Sequence, residues 1–469
     1  MGGVGLYGRP WMGCCCGAQA RQGATAGDHK GPPRAAPPPS PLRETPAILQ
    51  KGYQMSEQEV ARKRPASLWR NRDYLLLVSG QGVSDVGTQV SDLAFILLIL
   101  ALTGSPAQVG FVIALRALPS FILSIPAGAL VDRWDRRRLM ILCDVGRAFC
   151  MGSIPIAFAL GYRTMVQLYL VALIEATFAI FFDFSTRASL PRIVTKEQLP
   201  TAVAQSQSIT YTSLLLGPPL SGALYSVGRA FPFLADAVSY VVSVISLLFI
   251  KTPFQEERSA APGKLWVEVK EGFVWLWQHP LLRFMTLLVG GLNLTVAGID
   301  LIVVVLAQHL GASSFTIGLV IAIGSIGGLA GAFVAPFIQK RLSYGQAMIS
   351  VCWATALLWP LFAIARNLAV IGIIFAAYLI WGRIMNVVNF SYRTALTPNR
   401  MQGRVIGISG LVVRICPPLG SALTGILIQS AGVVPTILII TGCRVALAIA
   451  TTLNSHVRNA PPITEVQAV

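Results

Sequence analysis

The sequence predicts an all-α membrane protein whose twelve transmembrane helices form two parallel six-helix halves. Three observations predict this fold class: long apolar runs, an alternation of Lys and Arg between the connecting loops, and an internal repeat. Hydrophobic residues make up 54% of the 469 residues and charged residues only 12%, against about 25% in soluble domains. The net charge of +17 does not indicate nucleic-acid binding, because the basic residues fall in short segments between apolar runs.

Residues 1–66 form a predicted disordered tail that precedes the first apolar run. The segment is rich in Gly, Pro, Ala and Arg, as in GPPRAAPPPSP, and has no apolar periodicity. It also lacks the apolar core of a secretory signal. Met55 begins a short basic stretch typical of cytoplasmic tails, so two interpretations stay open: a translated tail, or a start site upstream of the true one at Met55.

Twelve apolar runs are long enough to cross a hydrocarbon core about 30 Å thick. They are residues 74–102, 109–130, 139–160, 166–187, 201–226, 232–250, 282–308, 315–337, 346–365, 369–391, 403–429 and 434–455. The predicted domains are an N-terminal six-helix bundle over 67–250, a cytoplasmic central loop over 251–280, a C-terminal six-helix bundle over 281–456 and a cytoplasmic tail over 457–469. Part of the central loop is predicted to be an amphipathic helix on the membrane surface.

The Lys and Arg residues of the loops set the orientation of the chain. One set of loops is rich in them, whereas the alternate loops hold only Arg163, Arg229 and Arg366. Because Lys- and Arg-rich loops stay on the cytoplasmic side of a membrane, both termini are predicted to be cytoplasmic.

The two halves echo each other in the same order along the chain. GALVDRW at 128 is echoed by GAFVAPF at 331, STRASLP at 185 by SYRTALT at 391, and LGPPLSGAL at 216 by ICPPLGSAL at 415. Since a six-helix unit has an even number of spans, both copies insert the same way round. The repeat is therefore parallel, which is typical of transporters whose substrate site lies between the halves.

Span 1 carries a polar stripe on an otherwise apolar helix. Asp85, Gln89 and Asp92 are spaced by four and three residues and share one helical face. Asn293 and Asp300 in span 7 lie 208 residues after Asp85 and Asp92. A charged side chain in mid-bilayer costs about 2.5–3.5 kcal/mol on insertion scales, so we predict that this stripe faces a wet cavity.

Arg116 in span 2 is the predicted partner of Asp92. The two residues differ in depth by roughly 5 Å at the rise of an α-helix, which predicts an ion pair. Four other charged residues inside spans are predicted to be structural pairs or snorkelling groups: Asp144, Arg147, Asp236 and Arg444.

Spans 4 and 10 add acids, an amide and aromatic rings to the candidate cavity. Glu175 and Asp183 lie eight residues apart among four phenylalanines, and span 10 offers Trp381 and Asn389. Aromatic rings beside a few acids suit a bulky hydrophobic guest, including a cationic one. The alternative is that the rings pack helices together and that an acid belongs to a structural ion pair.

The motif between spans 2 and 3, G-x-L-x-D-R-x-x-R-R at 128, resembles the major facilitator superfamily over residues 70–455. LRALP at 115, DRWDRRR at 132 and LPRIVTKEQLPTA at 190 resemble the branch that holds bacterial enterobactin-type and macrolide-type exporters. The resemblance implies a bacterial plasma-membrane protein with spans 1, 4, 7 and 10 around the central cavity.

The same resemblance implies a latch that holds the two halves together on the cytoplasmic side. In the superfamily, the motif's aspartate sits by the N-terminus of span 11, where the partial positive charge of the helix favours an anion. The residues that carry the predicted latch are Gly128, Asp132, Arg133, Arg136, Arg137, Gly403 and Arg404.

Span 5 contains part of the antiporter motif of the superfamily. Gly217, Pro218 and Gly222 match it, whereas Ser221 replaces one of its glycines. A Gly–Pro pair is predicted to break and bend the helix, and this favours export over import. A generic kink in a packed span is the alternative.

The resemblance implies a secondary active exporter of small hydrophobic molecules, of the drug, macrolide or siderophore class, driven by proton exchange. Its expected partners are this substrate, protons and the lipid bilayer, and it is expected to act as a monomer without nucleic acid. No cofactor or metal is expected, because the eight cysteines and four histidines show no metal-ligand spacing, and no enzyme-like cluster stands out. An importer or uniporter of a polar metabolite stays open as an alternative, as does a non-transporting membrane sensor.

Overall fold

The computed structural model describes residues 68–460 except 132, 163, 253 and 255–264. The predicted N-terminal tail and nearly all of the predicted C-terminal tail lie outside these residues. Within them, all regular secondary structure is helical, so the predicted all-α class is confirmed.

Six long helices form the N-terminal half. They are α1 (Arg72–Thr103), α2 (Pro106–Val131), α3 (Arg136–Ala159), α4 (Met165–Ile193), α5 (Leu199–Val227) and α6 (Phe231–Phe249). Local chemistry sets their ends. Asn71 accepts a hydrogen bond from the Tyr74 N–H and caps the start of α1, whereas Gly104 ends it at a φ of 62°, which favours glycine.

The central segment and the C-terminal half are also helical where the structure describes them. The helices are α7 (Leu265–Gln278), α8 (Pro280–Val296), α9 (Ile299–His309), α10 (Ser314–Arg341), α11 (Tyr344–Leu358), α12 (Leu361–Ile364), α13 (Leu368–Leu396), α14 (Asn399–Ala431), α15 (Val433–Leu453) and α16 (Ser455–Arg458). The predicted span 7 is divided into α8 and α9 around Gly298, and span 9 is divided into α11 and α12 around Pro360.

Eleven helical segments of the described chain are long and apolar enough to cross a membrane, with α8 and α9 taken together and α11 and α12 taken together. The remaining predicted span, 201–226, coincides with α5. This helix has 29 residues but falls short in apolar character, because Ser, Thr and Gln are frequent in its first half. Each half thus holds six helices of membrane-spanning length.

The packing repeats between the halves in the way that the internal echo predicts. In the N-terminal half α1 packs against α5 and α2 against α4; the equivalent pairs in the C-terminal half are α8 with α14 and α10 with α13. The halves meet through α2 against α14 and α5 against α10. The predicted major facilitator architecture is therefore confirmed.

The two halves touch closely at the end of the bundle remote from the start of α1 and the end of α15. A Cβ atom added to Gly110 on α2 would lie 3.0 Å from the Gly425 Cα on α14, and one added to Gly318 on α10 would overlap the Pro218 carbonyl on α5. At the opposite end, Cβ atoms added to Gly128 on α2 and Gly403 on α14 would meet no described atom within 4 Å. The halves are therefore closed at one end and splayed at the other.

The predicted break of span 5 at Gly217 and Pro218 is wrong. The helix α5 runs without interruption through Pro218 and Pro219. Gly217 instead lets Gln89 of α1 approach, and Gly222 lets the Ser314 carbonyl of α10 approach. This close packing on two sides holds the helix together despite the two missing N–H donors.

Candidate functional site

Arg116 on α2 joins two acids in the middle of the N-terminal half. Its Nη2 atom lies 2.6 Å from Asp92 Oδ1 on α1 and 3.2 Å from Glu175 Oε2 on α4. The predicted contact between Arg116 and Asp92 is therefore present. The guanidinium also lies over the ring of Phe95, 4.9 Å from its centroid. This ring shields one side of the ion pair from water, which strengthens its electrostatic attraction.

Arg147 on α3 extends this network from the other side of Glu175. Its Nε and Nη2 atoms donate to Glu175 Oε1 at 3.1 and 3.0 Å, and its Nη1 lies 3.6 Å from Asp144 Oδ1. The Tyr240 hydroxyl donates to the same Glu175 oxygen at 3.4 Å, and its ring centroid lies 4.1 Å from the Arg147 Cζ. Arg147 pairs with Asp144, so these two residues form a structural pair rather than snorkelling groups. Arg147 also reaches Glu175, which the sequence did not indicate.

The resulting charge network alternates along one line: Asp92, Arg116, Glu175, Arg147 and Asp144. Glu175 and Asp144 are buried, and Asp92 is partly exposed. Three carboxylates and two guanidiniums give the ionised network a net charge of 2 − 3 = −1.

A central cavity of about 280 Å³ lies between the halves and reaches one end of this network. Helices α1 and α5 line it from the N-terminal half, and α9, α10 and α13 line it from the C-terminal half. Its polar residues are Gln89, Asp92, Tyr211, Asp300, Ser325 and Arg383. Its apolar residues include Ile96, Leu214, Ile299, Ile321, Phe375 and Leu379. A largely apolar cavity with few polar groups is what a small organic ligand requires.

A side cavity of about 260 Å³ lies on the other side of the network. Arg116, Arg147, Glu175 and Asp183 line it from the N-terminal half, and Arg414 of α14 lines it from the C-terminal half. Because Asp92 lines the central cavity and Arg116 the side cavity, their ion pair separates the two spaces.

The structure thus brings together six of the ten predicted cavity residues. Gln89, Asp92 and Asp300 line the central cavity, and Arg116, Glu175 and Asp183 line the side cavity. Asp183 also forms an exposed ion pair with Arg187 at 2.9 Å.

The remaining four predicted cavity residues line neither space: Asp85, Asn293, Trp381 and Asn389. Trp381 packs against the apolar core of the C-terminal half instead. Asn389 is buried and accepts a hydrogen bond from Arg393 at 3.1 Å. For these two residues the helical face was misjudged, because span 10 is apolar around most of its circumference.

Two cavity arginines were missed in the sequence. Arg383 in α13 lies 5.4 Å above the ring of Tyr211 on α5, so this contact joins the two halves. Arg414 reaches the side cavity from α14. The signal was available, because each is a charged residue inside an apolar run, and the rule that singled out the acids of span 1 applies equally to a cation.

The described contacts of the latch arginines Arg136 and Arg137 lie within the N-terminal half. Arg136 donates to the carbonyl of Ala188 at 2.9 Å, and Arg137 donates to those of Leu247 and Leu248 at 3.0 and 2.7 Å. These carbonyls lie in the last two turns of α4 and α6, where the helix dipole attracts cations. In these contacts both arginines tie the loop to their own half, and their part in a latch between the halves stays a prediction.

None of the described contacts joins the remaining latch residues to one another. Arg133 and Gly403 are exposed, and Arg404 forms an ion pair with Glu271 of α7 at 2.5 Å. Asp132 itself lies outside the described residues. Its contact with the start of α14 stays a prediction, and the splayed end of the bundle is where that contact would have to form.

Comparison with known sequences points to membrane transport. The sequence profile of the family described as transmembrane secretion effector matches residues 67–466. The multidrug efflux pump Tap of Mycolicibacterium fortuitum is 24% identical over 385 residues, covering 78% of this chain and 91% of the pump. Macrolide efflux protein A of Streptococcus pyogenes is 26% identical over 390 residues, covering 78% of this chain and 91% of that protein.

Comparison with solved structures supports the same fold. The nucleoside transporter NupG superposes with a TM-score of 0.67 at 14% identity, covering 81% of this chain and 98% of NupG. A bacterial homologue of the iron transporter ferroportin, in its inward-facing state, gives a TM-score of 0.67 at 16% identity and covers 82% of this chain and 99% of its own. At such low identity these likenesses concern the fold alone.

Proposed function

The chain belongs to the transmembrane secretion effector family of the major facilitator superfamily, and on that premise we propose that it is a proton-coupled exporter of small hydrophobic organic molecules. Such a carrier exposes the central cavity to the two sides of the membrane in turn. The efflux functions named for its relatives from Mycolicibacterium and Streptococcus support the direction of transport. We further propose a bacterial plasma membrane, cytoplasmic termini and a monomeric working unit.

The network between the two cavities is the observation that carries the proposal. Asp92 is partly exposed to the central cavity, and its only described ion-pair partner is Arg116, which Glu175 also binds. A proton on Asp92 would release Arg116 to Glu175 alone, and loss of that proton would restore the shared arrangement. Proton uptake and side-chain rearrangement are thereby linked at the wall of the cavity.

The apolar walls of the central cavity support a hydrophobic substrate rather than a strongly hydrated one. Ile96, Ile299 and Phe375 leave few hydrogen-bonding groups for a sugar or a nucleotide. The phenylalanines around Glu175 and Asp183 in span 4, which suit a bulky hydrophobic guest, support the same substrate class.

Expression of the chain in an efflux-deficient bacterial host tests the proposed function. Susceptibility would be measured for a macrolide, a tetracycline, a lipophilic dye and a siderophore, with and without a protonophore. We expect resistance to at least one compound and its loss when the protonophore collapses the proton gradient. Unchanged susceptibility to all four compounds would contradict export and favour the importer alternative.

A further inference from the structure

The central cavity has two charged poles, both on helices of the C-terminal half. Asp300 lies on α9 and Arg383 on α13, and both line the same cavity. Neither has an ion-pair partner among the residues that the structure describes, whereas Asp92 in the same cavity is paired with Arg116. An unpaired charge in a membrane-spanning segment is costly, so such residues mark a ligand or ion pathway.

The surroundings of Arg383 hold it in place without using its hydrogen-bonding groups. The face of its guanidinium lies over the Tyr211 ring, and no described residue accepts a hydrogen bond from its N–H groups. Gly328 on α10 leaves room beside it, because a Cβ atom there would lie 3.6 Å from the Arg383 Nε. A planar guanidinium whose N–H edges are unoccupied matches a carboxylate, which it binds through two parallel hydrogen bonds.

The cavity that holds the two poles is otherwise largely apolar. Ile299 precedes Asp300 on α9, and Leu379 and Phe375 lie one and two turns before Arg383 on α13. An amphiphile with a single charge would satisfy one pole and leave the other uncompensated in a low-dielectric space. A molecule with charges of both signs satisfies each of them.

We infer that the central cavity selects zwitterionic amphiphiles, with an ammonium group at Asp300, a carboxylate at Arg383 and an apolar body between them. Arg383 is then a specificity-determining residue. The inference rests on the proposed function in taking the central cavity as the substrate site, and it narrows the substrate class within it.

Three ligands with the same apolar body separate the contributions of the two poles. They are 6-(aminomethyl)-2-naphthoic acid, a zwitterion whose two charges lie at opposite ends of the ring system; its methyl ester, a cation; and 6-methyl-2-naphthoic acid, an anion. Binding to the full chain in lipid nanodiscs would be measured by isothermal titration calorimetry. We expect the zwitterion to bind about tenfold or more tightly than either relative, the factor that one charge-assisted contact supplies.

Two neutralising variants and one control locate the effect. Arg383→Gln should weaken binding of the zwitterion about tenfold and leave binding of the ester unchanged. Asp300→Asn should weaken binding of the zwitterion and leave binding of 6-methyl-2-naphthoic acid unchanged. Unchanged binding of one ligand also shows that each variant is folded. Arg283→Gln, which removes an exposed arginine outside both cavities, should change none of the three affinities.

Several results would overturn the inference. They are no binding of the zwitterion, equal binding of zwitterion and ester by the unmodified chain, or an equal loss for all three ligands in Arg383→Gln. The proposed export can fail separately. The expected binding pattern without resistance in cells would support the zwitterion site and contradict export. Resistance in cells without selective binding of the zwitterion would support export and contradict the zwitterion site.

Discussion

At the residue scale, the molecule places one acid between a cation and the central cavity. Asp92 contacts Arg116 and borders the central cavity, and Arg116 leads on to Glu175 and Arg147. Charge–charge interactions are strong where water is excluded. A change in the charge of Asp92 should therefore alter the interaction energies of every charged residue in the network.

Asp92→Asn should abolish uphill transport driven by a proton gradient, because the amide cannot exchange a proton. Exchange of substrate across the membrane without a gradient should continue. Proteoliposomes loaded with a transported compound would be assayed with and without an imposed pH gradient.

Glu197→Gln is the matched control, since it neutralises a fully exposed acid in the loop before α5. It should transport like the unmodified chain. Gradient-driven accumulation by Asp92→Asn at the rate of this control would remove Asp92 from the coupling mechanism.

The sequence predicts the Asp92–Arg116 contact because both residues lie in long uninterrupted helices, where counting residues measures depth. It does not predict the bond from Arg147 to Glu175, since this depends on which faces of α3 and α4 meet. The division of span 7 at Gly298 was missed for a related reason: glycine is common inside membrane helices, and only tertiary packing decides whether it interrupts one. The fold class can be predicted from the pattern of apolar and charged residues along the chain. Contacts between neighbouring helices cannot, because they depend on how the helices cross.

At the element scale, two arginines of the loop between α2 and α3 fasten the ends of neighbouring helices. Arg137 donates to two carbonyls at the end of α6, whereas the side chain of its neighbour Arg138 is 88% exposed. A basic motif can therefore stabilise its own helical bundle as well as set membrane topology. Here Arg137 has the first role, and the exposed Arg138 is left with the second.

Arg137→Ala should destabilise the protein by about 1.5–3 kcal/mol, because hydrogen bonds from a charged donor to two carbonyls at the end of α6 are lost. Arg138→Ala should change stability by less than about 0.5 kcal/mol. Thermal unfolding of both variants in the same detergent compares them directly. Equal melting temperatures would show that the carbonyl contacts of Arg137 do not stabilise the bundle.

At the scale of the whole molecule, the two halves are in close contact at the end remote from the start of α1 and are splayed at the opposite end. Glycines permit the closed contact, since a Cβ atom at Gly318 would overlap the carbonyl of Pro218. Side-chain volume at this contact should therefore set the balance between the two states of the carrier.

Gly318→Leu should open the closed end. Overpacking costs about 1–3 kcal/mol, which shifts a two-state equilibrium by roughly 5–150-fold. Gly407→Leu is the matched control, because a Cβ atom there meets no described atom within 4 Å. Distances between spin labels on the two halves, measured by electron resonance, should lengthen at that end in the first variant only.

Asp132→Ala should shift the same equilibrium in the opposite direction. If Asp132 binds the start of α14 when the splayed end closes, its loss favours the state described here and slows turnover without changing the substrate range. The same spin-label distances report on it, and a distribution identical to that of the unmodified chain would contradict the latch.

Because span 7 is interrupted, the two equivalent acids of the repeat, Asp92 and Asp300, are stabilised in different ways. Asp92 lies inside the continuous helix α1 and depends on a discrete cation, Arg116. Its counterpart Asp300 lies in the first turn of α9, where the exposed N–H groups and dipole of a helix start favour an anion. The two copies of the repeat therefore stabilise their carboxylates differently. In the N-terminal copy Asp92 depends on the side chain of Arg116, whereas in the C-terminal copy Asp300 depends on the backbone at the start of α9. The N-terminal carboxylate is therefore held by an ion pair that protonation would break, whereas the C-terminal carboxylate sits at a helix start that no protonation would move.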